Sequence, residues 1–295
     1  MAAPILIQEQ QLTENRTLWR DAVRSFLKNR LATAGLVVVL LFILFAIFAD
    51  LLAPSPYYRS VLSENLRFPS FQHWMGTDAV GRDLLSRIIY GARVSLVVGF
   101  AVQAIAFGIG LPLGALAGLR GGWIDFLVTR MLEVMTAFPG FLFAIFLMSI
   151  LGTGLPNVIL AIGVTSWIEV CRLTRGQMLA LREREFVMAA RSYGSDDWRV
   201  LFRHLLPHAA PPLLIMLALG IPSAIFAEAG LSFLGVGIND PLPSWGKMVS
   251  ESLGYIRVYW YLGLFPTLTI ALAMLGFNFV GDGLRDALDP TMYNT

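Results

Sequence analysis

The sequence predicts an all-α polytopic membrane protein that crosses the bilayer six times with both termini in the cytoplasm. Three observations predict it. The 295 residues are 56% hydrophobic and only 14% charged, with a mean hydropathy of +0.67, whereas soluble domains carry about 25% charged residues. Long stretches lack any charge: Leu31 to Ala49 is 19 residues, Val94 to Leu119 is 26, Ala209 to Ala227 is 19 and Val258 to Gly281 is 24. Each is long enough to cross a hydrocarbon core of about 30 Å at 1.5 Å per residue. Finally, Arg16, Arg20, Arg24, Lys28 and Arg30 all precede the first run, which places the N-terminus inside by the positive-inside rule. The net charge of +2 carries no nucleic-acid signal, and a lone Cys171 excludes an internal disulfide and a cysteine metal cluster.

Residues 1–30 read as a cytoplasmic tail ending in a short basic amphipathic helix. Trp19, Val23, Phe26 and Leu27 share one side, and that helix is expected at the inner membrane interface. Residues 31–53 form the first span. "APSPYY" then breaks the helix and opens an outer segment over 54–93. Within it, "GTDAVGRDLLSRIIYG" (76–91) has Val80, Leu84, Leu85, Ile88 and Ile89 on one face, and Asp78/Arg82 and Asp83/Arg87 at i,i+4 spacing. This pattern predicts a helix lying on the outer surface. The second span carries Gly110, Gly114 and Gly118, a small-residue ridge that lets a neighbouring helix approach closely. Val134 to Ile168 holds 35 uncharged residues, too many for one crossing, and "GTGLPN" (152–157) supplies a turn. It therefore divides into spans near 128–151 and 156–173. The core runs over 94–282 and residues 283–295 form a second cytoplasmic tail.

Between the fourth and fifth spans lies "EFVMAARSYGSDDWRVLFRHLLPH" (185–208), charged and glycine-broken in an otherwise apolar chain. Helix formers run from Glu183 to Tyr193 and stop at Gly194, a left-handed C-terminal signal. Ser195 is the expected N-cap of a second helix, with Asp196 and Asp197 suiting its dipole. Trp198, Leu201, Phe202, Leu205 and Leu206 then form an apolar stripe, which Pro207 and His208 are expected to end. The pattern is a helix, a glycine turn and an amphipathic helix on the cytoplasmic side.

Ala189–Ala190, Gly194 and Leu206–Pro207 in this segment resemble the cytoplasmic signature of bacterial ABC-transporter permeases, the membrane subunits of binding-protein-dependent importers. Met188 stands where that family usually has Glu. "MGTDAVGRDLLSRIIYGARVSLVVG" (75–99), "AEAGLSFLGVGINDPLPSWGKM" (227–248) and "FNFVGDGLRDALDP" (277–290) are similar to blocks of the peptide/nickel branch, the last to its C-type subunits. The resemblance spans most of residues 20–290. It implies the type I importer permease fold, with 183–207 as the coupling segment in which Ala189, Ala190, Gly194, Trp198, Leu206 and Pro207 meet an ATPase. It also implies a heterodimer with a homologous permease chain, two ATP-binding subunits, an extracytoplasmic substrate-binding protein, and a dipeptide, longer peptide, nickel ion or other small solute as cargo.

The residues themselves point to no catalytic group, cofactor or metal. No G-x-x-x-x-G-K-[ST] phosphate loop occurs. His73 stands alone, and His204 and His208 are separated by Pro207. Arg130/Glu133 and Glu169/Arg172 fall at the inner ends of spans and read as structural pairs. Glu228, near the outer end of the fifth span, is the candidate for the substrate path, because a carboxylate at membrane depth is costly. Asp282, Arg285, Asp286 and Asp289 read as solvated charges of the tail. An ion-driven secondary transporter stays open as an alternative, although it calls for midplane carboxylates and broken helices in both halves. A membrane enzyme needs an acid/base constellation, and none is evident in the spans.

Overall fold

The computed structural model describes residues 18–288; Arg16, the Trp19 side chain and Asp289 lie outside the described part. The described residues form helices and loops with one isolated bridge, Thr77 to Asp83. In chain order the helices are α1 (Leu18–Lys28), α2 (Arg30–Ile47), α3 (Ala49–Leu52), α4 (Leu84–Arg120), α5 (Gly122–Thr136), α6 (Gly140–Leu151), α7 (Leu155–Leu181), α8 (Glu185–Ser192), α9 (Asp197–Val200), α10 (Leu206–Phe233), α11 (Trp245–Ser252) and α12 (Tyr261–Leu288). Among the described residues, five uninterrupted helices are long and apolar enough to cross a membrane, and the bent pair α5–α6 adds a sixth if it is taken as one broken span.

Four expectations about boundaries give way. The outer segment 76–91 is not a separate surface helix. Residues 76–82 are a turn in which Gly76 and Gly81 take positive φ. Asp83 then caps α4 by accepting from the Ser86 N–H at 2.8 Å. From Leu84 the apolar face runs unbroken into the second span, giving one helix of 37 residues, about 55 Å long by helical rise. The third span is not straight: α5 and α6 meet at 80°. Pro139 cannot donate a backbone hydrogen bond and disfavours helix at Phe138, so the chain leaves α5 at Thr136 and restarts at Gly140. The fourth span continues to Leu181 and the sixth to Leu288, so both project beyond the predicted limits.

The fourth correction concerns the fifth span. Pro207 does not end the preceding element. A π-helical turn, Leu201–Leu205, joins α9 to α10, and the Leu206 N–H reaches back to Leu201 O. That wider turn reorders the ladder just where proline removes a donor, and Pro207 sits in the first turn of α10, where a missing N–H costs least. Asp197 to Phe233 is thus one continuous helical path of 37 residues.

α4 and α7 form the closest pair of the bundle. A Cβ on Gly110 would lie 2.5 Å from Trp167 O, and one on Gly118 would lie 2.5 Å from the Met178 Cβ. The glycine ridge read from the sequence is this seam. α2 runs along α12, and α10 lies between α4 and α12 with Ile221 and Ile225 buried against Leu96 and Phe277. Asn29 caps α2 through the Leu31 and Ala32 N–H groups and donates to Asp286 at 3.2 Å. That bond ties the inner end of α2 to the inner end of α12.

Candidate functional site

Three regions carry the chemistry: the cytoplasmic hairpin α8–α9, a cavity behind it, and an outer block. The hairpin turn is as the sequence predicts. Gly194 has φ +82°, Ser195 N donates to Ala190 O at 3.1 Å and Gly194 N to Arg191 O at 2.9 Å. These two bonds are a Schellman motif, which satisfies the last carbonyls of α8 and needs a left-handed residue. Ser195 is used up in that turn, so the N-cap moves one residue on, to Asp196. The apolar stripe divides. Val200, Leu201 and Leu205 are buried with Val187 against Leu119 of α4 and Met178 of α7. Trp198 and Phe202 instead stack on each other at 6.0 Å and stay exposed. Met188 on α8 is also exposed, and Tyr193 is 92% exposed. Ala189 is exposed, Ala190 and Leu206 are half-buried, and Pro207 is exposed. The helical path through Pro207 also brings His204 and His208 together: His208 Nδ1 lies 2.6 Å from His204 O, and its ring stacks on Phe186 at 4.5 Å.

Behind the hairpin, α4, α6, α7, α10 and α12 enclose a cavity of about 710 Å³. Its wall on α10 runs from Pro212 to Ala227, about 23 Å of helical rise, so it reaches from the cytoplasmic end well into the membrane. The charges lie at the cytoplasmic end, on Glu169, Asp282 and Arg285. Gln103, Thr165, Ser166 and Ser223 supply neutral polar groups deeper in, among Phe141, Ala144, Ala224 and Ala227. Glu169 thus belongs to the cavity wall. Arg130 pairs with Glu133, and Arg175 holds Asp125 with both ends of its guanidinium.

Glu228 is fully buried and is not part of that cavity lining. Its Oε1 accepts from Ser232 and from Ser244, each at 2.7 Å. Ser244 is also the N-cap of α11, accepting from the Lys247 N–H at 3.2 Å. The carboxylate therefore fastens α10 to the outer helix α11. Trp245, fully buried, donates from Nε1 to Ile88 O at 3.1 Å and completes the seal against α4.

On the outer surface an ion network joins the 76–87 turn to α11. Arg87 is 1% exposed, and its Nη1 meets Asp78 at 2.6 Å and Glu251 at 2.8 Å. Arg82 reaches Asp78 at 2.6 Å and Asp240 at 3.0 Å, while Lys247 lies 3.1 Å from Asp240. Burial pushes the Asp240 carboxyl up, but the Arg82 hydrogen bond and the Lys247 ammonium outweigh it and hold it below the usual range. Desolvation likewise lowers Arg82, and the surrounding carboxylates, Asp78 foremost, more than restore it. The i,i+4 spacing foretold Asp78/Arg82 but not the partner of Arg87, since Asp83 is engaged elsewhere. Asp83 meets His73 Nδ1 at 2.9 Å, and Glu64 lies 3.5 Å from His73 Nε2, so His73 is not isolated. The placements of Glu251 in the ion network and of Gln103 in the cavity had no signal in the sequence, because each depends on a helix far away in the chain.

Residues 110–293 match the family described as binding-protein-dependent transport system inner membrane component, and residues 17–70 match the N-terminal TM domain of oligopeptide transport permease C. The chain is 46% identical to the dipeptide transport system permease protein DppC of Alkalihalophilus pseudofirmus, over 93% of this chain and 90% of that one. It is 42% identical to the oligopeptide transport system permease protein OppC of Bacillus subtilis (94% and 90% covered) and 40% identical to the glutathione transport system permease protein GsiD of Pectobacterium atrosepticum (94% and 92%). A solved structure described as an inward-facing conformation of the MetNI methionine ABC transporter superposes with a TM-score of 0.58 at 20% identity, covering 70% of this chain and 98% of that one. That likeness shows the type I permease fold. The chain belongs to the family of binding-protein-dependent transport system inner membrane components, as a multi-pass inner-membrane permease subunit of an ABC importer.

Proposed function

We propose that this chain forms one half of a peptide-importing pore, paired with a homologous permease and driven by two ATP-binding subunits at its cytoplasmic hairpin. An extracytoplasmic binding protein delivers the solute. The observation that carries this reading is the unbroken helical path from Asp197 to Phe233. One end of it presents Trp198 and Phe202 to the cytoplasm, and its middle forms the cavity wall from Pro212 to Ala227. A push on the hairpin by a closing ATPase therefore moves the wall of the path directly. Met188, exposed where the family usually has Glu, makes the contact on α8 apolar. The peptide class is supported by the names of the relatives, dipeptide and oligopeptide permeases among them, and by a mostly apolar cavity that carries neutral polar groups at Gln103, Thr165, Ser166 and Ser223.

Importing a solute against a thousandfold gradient needs about 4 kcal/mol, within reach of ATP hydrolysis. The test is uptake by the complete complex in proteoliposomes, with labelled dipeptide, longer peptide, glutathione and nickel offered separately. ATP-dependent peptide uptake that requires this chain is the expected result. Uptake of nickel alone would keep the machinery and overturn the substrate class. Loss of uptake on collapsing an ion gradient, with ATP supplied, would instead indicate the ion-driven alternative.

A further inference from the structure

Resting on the peptide-import reading, we propose that the carboxamide of Gln103 is a main-chain contact for the peptide in transit, pairing with a peptide bond at mid-membrane. Gln103 lies near the middle of α4, is only 5% exposed and lines the cavity. Its amide makes no hydrogen bond to any described residue. The amide is open to the cavity rather than sealed away from it, so a molecule in the cavity can reach both its donor and its acceptor.

The other neutral polar groups of the cavity are already occupied. Thr165 Oγ1 donates to Ile162 O at 2.8 Å, Ser166 Oγ donates to the same carbonyl at 2.8 Å, and Ser223 Oγ donates to Leu219 O at 3.0 Å. Their protons are directed back into their own helices. Among the neutral side chains of the cavity, Gln103 alone offers both a free donor and a free acceptor. That pair complements the C=O and N–H of a peptide bond and is indifferent to side chains, as an importer of varied peptides requires.

The space around it is shaped for this. Gly220 on α10 faces the amide, and a Cβ there would lie 2.5 Å from the Gln103 Cδ and 2.6 Å from Nε2. Glycine at 220 therefore leaves the carboxamide its present position against α10. Because α10 is the helix that continues into the cytoplasmic hairpin, a movement of α10 past α4 alters what this amide can reach. Peptide contact and release are thereby linked to the same stroke.

The test uses the complete complex in proteoliposomes with saturating binding protein. The substrates are labelled trialanine and the same peptide N-methylated at its central peptide bond. Gln103→Met keeps length and removes both hydrogen-bonding groups. Gly220→Ala keeps the glutamine and displaces its amide. In each variant, trialanine uptake is expected to fall about three- to tenfold, the loss of one or two neutral hydrogen bonds. The preference for trialanine over its N-methylated form is also expected to shrink. The binding protein is common to all arms, so the change in that ratio reports the permease, and Gln103→Glu is expected to restore part of it through its acceptor. Unchanged uptake in both variants would overturn the assignment. So would a fall in uptake with the ratio intact, which would make the amide a packing element only. A wild-type complex that imports no peptide at all would bring down the peptide-import reading, and this contact with it.

Discussion

The outer block, made of the 76–87 turn and α11, and the cytoplasmic hairpin α8–α9 both lie at the ends of spans, and they are finished in opposite ways. The outer block closes on itself through ion pairs, although Arg87 Nε and Nη2 and Glu228 Oε2 are buried without a hydrogen-bond partner. Arg87, Asp78 and Glu251 bury a charge network, Trp245 is wholly enclosed, and Ser244 both caps α11 and donates to Glu228. The hairpin buries Val187, Val200, Leu201 and Leu205 and then leaves Trp198, Phe202, Met188 and Tyr193 outside. Scattered exposed apolar residues are ordinary, and under the proposed coupling role the stacked Trp198–Phe202 pair is the contact offered to the ATP-binding subunit. The difference separates an ion-paired closure on the outer side from an inner surface that leaves large apolar side chains exposed.

The largest expected effect breaks the outer half of this contrast. Asp78→Ala leaves Arg87 buried with one partner fewer, and removing one member of a buried pair typically costs about 3–5 kcal/mol. A matching fall in thermal stability of the purified complex is expected. A midpoint indistinguishable from wild type would show that the network is solvated and the outer closure is not rigid.

Gly194→Val acts on the inner half. A β-branched residue held at φ +82° costs about 1–3 kcal/mol, and open space around the glycine means that no clash adds to it. The chain is expected to insert and assemble, while ATP hydrolysis proceeds without transport because the hairpin loses its fixed angle. Normal transport per ATP would remove the turn from the coupling path.

Trp198→Ala combined with Phe202→Ala sharpens the contrast further. Both side chains are exposed, so the stability of the isolated chain is expected to move by no more than about 0.5 kcal/mol. Retention of the ATP-binding subunits on purification is nevertheless expected to drop steeply. Full retention would place the interface elsewhere on the hairpin.

The smallest effect concerns pH. The folded-state pKa of Asp240 is lowered, so its contribution is fully present above the unfolded carboxylate value of about 3.9 and is lost as pH falls through the lower folded value. Stability of the outer block is therefore expected to be flat, as far as Asp240 is concerned, between pH 5 and 8. A slight weakening is expected only below about pH 4, read by hydrogen exchange over residues 240–251. A loss beginning near pH 6 would show that Asp240 does not set the acid limit of the block.

Much of the fold was legible because lipid imposes a length rule: a run of about twenty uncharged residues has few alternatives to a helix across the bilayer. The glycine ridge on α4 and the stop at Gly194 were legible for a related reason, since close helix approach and a left-handed turn each favour that one residue. Glu228 was singled out for the substrate path, yet it is buried outside the cavity lining, and its partners, Ser232 and Ser244, come from its own helix and from the segment ahead of α11. What the sequence by itself determined is the membrane class, most of the apolar spans and the conformation of the hairpin turn, all of which follow from local composition and backbone sterics. Only the tertiary structure decided that a π turn carries the helix through Pro207, that Pro139 bends the third span by 80°, that Arg87 pairs with Glu251, and that Gln103 is left facing a cavity with nothing to hold. Each of these depends on what a distant helix places beside the residue, and a charge or an amide finds its partner by packing rather than by its position in the chain.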